Sequence, residues 1–482
     1  MSGTDDNQGI KKPEQGRVNV GDRTPNQAVM TTEGYRLTED KSGKFGAIYL
    51  DDCQFSPING IRVEFEYVIH SASSSNGGAD GFTFFVFDGS QTSITTGSGG
   101  ASAGYMYTRA NNKGKKNRCQ GLTGGYLGVT FDVYGNFKDR RWSATDRKNG
   151  IKDYGNSQGK QNHITLRGAK GVAHPSINGM GDGYTGYPVL ITQSTTNKSD
   201  NRRLKADGDY GSFSTSYNSS FQLRNGTGSG KYRKAIIELY PIAGNNGMYV
   251  TVKVIHGDTE STVINDYAYK TETAYFENAI SNASSGDYNA DDKINEGGAF
   301  KENLNTAPPA IMKMGFAAST GGKYDKHVIK NLSITFPCSA KAENDAAETT
   351  RGYAVSLLPL ENDIAYTGPV SRMSVGSKEY IDPSTFCFVH PLTGQPSATP
   401  HQLNVAGQGN WVYDMHTKKV TFTPLYSFIG NAVVKYTIKG GLNNEMPYCD
   451  EAYRSQPASI RVSVSSAGHK LISNRMISSK LR

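Results

Sequence analysis

The chain has 482 residues, 36% of them hydrophobic, with 55 glycines and 28 tyrosines, a length that predicts two or three domains rather than one core. Its formal charge of +8, from 52 basic and 44 acidic residues, is modest and partly local to 109–118, 138–148 and the C-terminal tail. No aromatic-basic pattern of an RNA-binding sheet accompanies those runs, so they read as solvated loops and no nucleic-acid partner is expected.

Five cysteines are scattered at Cys53, Cys119, Cys338, Cys387 and Cys449, without a CxxC pair that would suggest zinc or redox chemistry. Cys387 and Cys449 share a segment and can pair; the odd count leaves at least one thiol over. The start, "MSGTDDNQG", does not read as a signal peptide, and no apolar run is long enough to span a bilayer. Membrane insertion is not expected. A cytosolic chain and a piece of a longer secreted protein both fit.

In chain order, residues 1–28 are polar and read as a leader or linker. Short alternating runs bounded by Gly, Asn, Asp or Pro then recur, among them "RVEFEYVI", "FTFFVF", "YLGVTFDVY", "HITLRG", "AIIELY" and "YVTVKVI". Long helical periodicity is nearly absent, so the chain is predicted to be all-β and built from sandwiches. The polar interruption 168–222 is too long for a structureless loop and should carry short strands such as "YPVLITQSTT". A break at "PCSAKAENDAAETTRG" predicts a boundary, with a first domain over 29–340 and a linker over 341–352. A second strand-rich block, 353–465, reads as a smaller immunoglobulin-like sandwich, with a hairpin around "DMHTKK" and Trp411 and Phe422 as core anchors. Residues 466–482 show no core pattern and read as a tail or linker.

Three stretches of the first block hold candidate chemistry: "GADGFTFFVF" (78–87), "GGYLGVTFDVYGNF" (124–137) and "MGFAASTGGKYDKHVIKNLSITF" (314–336). Asp80 heads a hydrophobic run, where an uncompensated carboxylate is costly. Asp132, Tyr134 and Asn136 alternate along one strand face, with Asp139 beyond, offering the hard oxygens that calcium prefers. The same residues also suit a polar turn closing a strand. A weaker acidic candidate, "DYNADDKINEGG" (287–298), lacks the central Gly and terminal acid of a calcium loop and reads as a solvated loop.

Taken in order, the three stretches resemble the L-type (legume-lectin-like) carbohydrate-binding family, in which an Ala-Asp-Gly, an "(E)FD-x-Y-x-N" strand and a late "GFSA-(S/T)-TG" follow one another. The resemblance implies a jelly-roll (concanavalin-like) sandwich with sugar-binding loops at one end and a bound calcium ion. It implies that Asp80, after a cis Ala-Asp peptide, accepts hydrogen bonds from sugar hydroxyls. Asn136 would bind metal through oxygen and sugar through its amide, with Asp132, the Tyr134 carbonyl and Asp139 as further metal ligands. Gly104, Ser319, Thr320, Gly321 and Gly322 would frame the sugar. Thr130 stands where legume members place a glutamate for a second metal, and Asp146 competes with Asp139 as the later carboxylate. His163 stands where a family histidine serves that second metal, and with Thr130 present it reads as a satisfied strand histidine. Trp142 is the first choice for a ring that stacks on sugar, followed by Tyr105, Tyr184 and Tyr187.

The second block resembles the CshA-type repeat of bacterial fibrillar adhesins, on "LEND", "DPST", "GQGNW", "VTFTP" and "YTI". It implies a non-catalytic spacer. The combined expectation is a calcium-dependent module binding extracellular glycans on a bacterial cell surface, as part of a longer protein. Two rivals remain: a glycoside hydrolase on the same fold, for which Glu64 and Glu66 are the carboxylates that share a face, and a structural stalk with a degenerate lectin block.

Overall fold

The computed structural model describes residues 9–15, 25–57, 60–73, 75, 77–106, 108–109, 118–119, 121–138, 161–172, 186–197, 200–214, 220–225, 232–278, 299–336, 339–366, 375–440 and 454–466. Asp139, Trp142, Asp146, Tyr184, Cys338, Cys449 and the loop 287–298 lie outside them. Among the described residues no helix is long and apolar enough to cross a membrane. Contacts divide the chain into two compact units, Met1–Thr335 and Phe336–Arg482.

The first unit is an all-β jelly-roll sandwich of a nine-stranded and a seven-stranded sheet. The two sheets meet through aromatic side chains. Phe65 and Tyr67 of Ile61–His70, in the seven-stranded sheet, pack on Phe82, Phe131 and Phe316 of the other. The run "FTFFVF" does not alternate because both of its faces are covered. Phe82 and Phe84 point into the sandwich, whereas Phe85 and Phe87 pack under a loop cluster with Tyr105, Leu122 and Tyr187.

Register within the nine-stranded sheet places the site. Gly81–Asp88 lies between Met312–Ser319 and Gly125–Asp132, and His163–Arg167 pairs with the far side of the latter. At one end Ser319 pairs with Gly81, Gly81 with Asp132, Asp132 with His163, and His163 with Ser194. Residues far apart in sequence therefore stand in one row. The strand expected in "YPVLITQSTT" is Val189–Ser194.

Two boundaries differ from expectation. Ile10–Lys11 pairs with Tyr49 and Leu50, and Ala28 is buried, so part of 1–28 belongs to the sandwich. The expected linker 341–352 contains the strand Asp345–Thr350, which pairs in parallel with Ala458–Ser465. Its polar composition hid it: Ala346 and Glu348 are exposed, and the hydrogen bonds come from a partner over 100 residues away.

The second unit is the smaller sandwich, of two four-stranded sheets. Gly409–Asp414 and Lys419–Pro424 form the expected hairpin, and Trp411 and Phe422 are fully buried against each other. Cys387 is buried in this unit, and its thiol contacts the Phe388 carbonyl at 3.4 Å.

Inside this core the Tyr436 hydroxyl lies 2.9 Å and 3.0 Å from the Asp363 oxygens, 3.1 Å from Asp345 Oδ2 and 3.0 Å from the Glu343 carbonyl. One phenol proton cannot serve all these acceptors. Burial pushes the Asp363 carboxyl up to about 7 and that of Asp345 up to about 6, so a carboxyl proton supplies the missing donor. Raised carboxyl pKa values mean that the folded state binds extra protons. The resulting stability is complete below the unfolded value of about 4 and is lost as pH rises through 6 and 7. The melting temperature of this unit should therefore fall from pH 5 to pH 8, and Asp363→Asn should flatten that dependence. Trp142 and Trp411 are the chain's two tryptophans, so Trp411 fluorescence in a Trp142→Phe background reads this unit alone. A melting temperature that rises over the same range contradicts the account.

Candidate functional site

The end of the nine-stranded sheet draws the three stretches together through their backbones. The Ala79–Asp80 peptide is cis. The Asp80 carbonyl accepts from the Val133 amide at 3.0 Å and the Tyr134 amide at 3.1 Å, and the Asp80 amide donates to the Ser319 carbonyl at 3.1 Å. Gly81 holds φ of +132°, and a Cβ there would lie 2.1 Å from the Phe131 carbonyl, so only glycine permits this close crossing. Asp80 is 7% exposed, and its Oδ2 receives the Ser319 hydroxyl at 3.4 Å. The same hydroxyl is 3.2 Å from the Gly100 carbonyl.

The turn 132–138 is organised by Asp132, which is buried. Its Oδ1 accepts from the Gly135 amide at 2.8 Å, and its Oδ2 from the Phe137 and Lys138 amides at 3.0 Å and 3.3 Å. Burial raises its carboxyl above the usual range, opposed by the nearby Lys138 charge and by those amides. Asn136 is half-buried, and its Oδ1 is a buried acceptor with no hydrogen-bond partner among the described residues. An orphaned amide oxygen beside a carboxylate fits a hard cation. Asp132 and the Tyr134 carbonyl, with this oxygen, make up the described part of the expected donor set. No group of three or more His, Cys, Asp or Glu suited to a metal occurs among the described residues.

The loop residues sort differently from expectation. Gly321 approaches the Asp80 carboxylate: a Cβ on it would stand 4.0 Å from Oδ2. Gly322 is exposed with open space around its Cα. The Thr320 hydroxyl, however, donates to the Lys41 carbonyl at 2.7 Å and accepts the Lys44 amide at 2.8 Å, so it ties down the 41–44 loop. Gly104 does not offer its amide either. That N–H donates to the Ser98 carbonyl at 2.8 Å, and a Cβ on Gly104 would collide with Ala317 at 2.4 Å. In the same loop the Gly100 carbonyl lies 3.2 Å from the Ser319 hydroxyl, with nothing within 4 Å of the Gly100 Cβ position. "GSGGASAGY" contains several glycines, and only the fold distinguishes them.

Tyr105 and Tyr187 are not stacking platforms. Both are fully buried, packed edge to face at 5.4 Å, with their hydroxyls donating to the Gly168 and Leu122 carbonyls. His163 is buried on its strand, with Nε2 3.0 Å from the Asp200 carbonyl and Nδ1 3.3 Å from Lys138 Nζ. Thr130 pairs its hydroxyl with Thr83 at 2.7 Å.

Sequence reading missed a brace behind the Asp80 loop. Asp325 is fully buried, and its Oδ2 accepts the Gly78 amide at 3.1 Å. Arg224 donates to it from Nη2 at 2.8 Å and from Nε at 3.1 Å. Burial pushes the Asp325 carboxyl up to about 6, with Arg224 and the Gly78 amide opposing the rise. Asp325 sits in the third stretch, yet nothing in its local pattern points to an arginine 101 residues away.

Glu64 and Glu66 lie together on the outer face, on the fourth of seven strands rather than an edge strand. Burial raises the Glu64 carboxyl, but Lys234 and Arg62 outweigh it and hold it below the usual range. Glu66 pairs with Lys330 at 3.4 Å. A general acid needs a raised pKa, so Glu64 is poorly suited to that role.

No family model matches the chain, and no curated protein does. Among solved structures, it is similar to the Ca2+-bound exoplasmic/lumenal domain of VIP36, at 13% identity over 69% of this chain and 86% of that one, with a TM-score of 0.33. It is similar to peanut lectin with a nine-residue peptide, at 15% identity over 68% and 91%, TM-score 0.32. It is also similar to metal-free lectin I-B4 from Griffonia simplicifolia, at 13% identity over 69% and 94%, TM-score 0.31. These likenesses assign no residue.

Proposed function

We propose that the first unit is a non-catalytic, calcium-dependent carbohydrate-binding module, carried with the second unit, a CshA-like spacer, in a larger bacterial surface adhesin. The observation that carries this reading is the convergence at Asp80. Its carbonyl is held by the 133–134 amides and its carboxylate by Ser319, beside Gly100 and Gly321, with the orphaned Asn136 oxygen in the same turn.

In this reading the Asp80 carboxylate accepts hydrogen bonds from sugar hydroxyls, charge-assisted and therefore stronger than neutral ones. Asn136 Oδ1, the Tyr134 carbonyl and Asp132 would hold the ion, with Asp139 the remaining member of the proposed set. When bound, calcium supplies a fixed positive charge that satisfies the Asn136 oxygen and stiffens the turn on which Asp80 rests. Asn136 then presents its amide nitrogen beside Asp80. The Ser319 hydroxyl lies 3.4 Å from the Asp80 carboxylate, while Gly321 and Gly322 leave room for a ring because they carry no side chain. Weak single-site binding suits multivalent display, since linked copies raise the effective concentration. A second structure of the VIP36 domain is the Ca2+/Man3GlcNAc-bound form, and a lectin from Bauhinia forficata is in complex with GalNAc. An extracellular glycan is the partner class proposed for this chain.

A glycan array run in calcium and again in EDTA tests the reading. The expected result is binding that EDTA removes and calcium restores, without hydrolysis of the bound glycan. Binding unaffected by EDTA removes the calcium requirement. No binding to any glycan, with no thermal shift on adding calcium, favours the stalk alternative.

A further inference from the structure

Lys138 is 3% exposed, and a buried lysine must find compensation for its charge. Its ammonium lies 3.3 Å from His163 Nδ1, and its charge acts on the buried Asp132 carboxyl. An ammonium carries only donors, so Nδ1 accepts from it, while Nε2 faces the Asp200 carbonyl at 3.0 Å and Asp200 Oδ2 at 3.5 Å. Asp132 and His163 are cross-strand partners, and Lys138 ends the turn that Asp132 caps, its backbone amide donating to Asp132 Oδ2 at 3.3 Å and its ammonium turned to His163. A carboxylate and an imidazole at paired positions of neighbouring strands are half the donor types of a transition-metal site. The remaining strand position, Thr130, offers no anionic ligand and spends its hydroxyl on Thr83.

We propose that the Lys138 ammonium is the resident cation between Asp132 and His163, occupying the place of a second metal ion, so that the site accepts no transition metal. In this arrangement the Lys138 charge acts on Asp132 and its ammonium orients His163, leaving at most one divalent ion to bind, at the Asn136 side. The inference shares Asp132 with the proposed calcium site but does not depend on calcium binding there.

The test measures Mn2+ and Ca2+ uptake by the full chain, using equilibrium dialysis with elemental analysis and the Mn2+ electron paramagnetic resonance signal. Wild type should take up no Mn2+, and Lys138→Arg, which keeps a fixed cation, should behave alike. Lys138→Ala and Lys138→Met should lose thermal stability in metal-free buffer. They should gain one Mn2+ per chain, with affinity on the order of tenfold or more above wild type, and recover stability on binding it. Adding His163→Ala should abolish the gained site. Stoichiometric Mn2+ uptake by wild type that His163→Ala removes overturns the proposal. Folded Lys138→Ala and Lys138→Met variants that gain no Mn2+ overturn it too. If both unfold, the wild-type and Lys138→Arg measurements still decide it. Absence of Ca2+ uptake by wild type counts against the calcium reading and leaves the Mn2+ result to judge Lys138.

Discussion

Asp80→Ala and Asn136→Ala should each abolish glycan binding while leaving the chain folded. A hydrogen bond to a charged group contributes about 1.5–3 kcal/mol, or roughly 10–100-fold in affinity, enough to take a weak sugar contact below detection. The bond from Ser319 to the Asp80 carboxylate is long, and Ser319 keeps the Gly100 carbonyl when Asp80 is truncated. Asn136→Ala removes a buried acceptor that lacks a partner, so in metal-free buffer it should not destabilise, and it can stabilise by relieving a desolvation cost. The two variants should differ in calcium response. Asp80→Ala keeps the ligands and should retain a calcium-induced thermal shift; Asn136→Ala should lose most of it. Glycan arrays and calcium calorimetry on both variants make the check. Unchanged array signals would end the assignment of these two residues.

The second large effect is on stability. Arg224→Met leaves the fully buried Asp325 carboxylate without its guanidinium and should cost about 3–5 kcal/mol. Asp325 already sits high, at about 6, and loss of Arg224 raises it further. Deprotonating it at higher pH then becomes the expensive step. The deficit relative to wild type should be largest near pH 8 and shrink toward pH 5, where the carboxyl takes a proton. Denaturant unfolding at both values reads this directly. Because the Gly78 amide rests on Asp325, the variant should also lose glycan affinity at pH 8 before it unfolds. A pH-independent deficit of less than about 1 kcal/mol would mean that the pair is incidental.

Single-site substitutions at Lys138 and Asp363 complete a contrast between the two units. In the first, a lysine charge settles a carboxylate and a histidine. In the second, two aspartates whose carboxyls burial pushes up converge on one tyrosine hydroxyl. Both devices bury polar groups in β-sandwiches, and both join residues far apart in sequence, 25 positions for Lys138 and His163 and 73 for Asp363 and Tyr436.

Much of the architecture was legible from residue order. Alternating runs between turn residues fixed the strands, since side chains on a strand alternate faces with a period of two. "FTFFVF" announced a strand covered on both sides, and the hairpin around "DMHTKK" appeared with its two core anchors in place. Asp80, Asp132 and Asn136 stood out by residue type and spacing. What the sequence could not supply was which strands lie side by side. Ser319 beside Gly81, Gly100 rather than Gly104 near the site, Arg224 on Asp325, Lys138 against His163 and Tyr436 on Asp363 all follow from sheet order and from loop paths between distant strands. Local pattern determines the face a side chain occupies, because that depends on backbone geometry within a few residues. The neighbour it meets there depends on register between strands tens to hundreds of residues apart, and only the tertiary structure decided that.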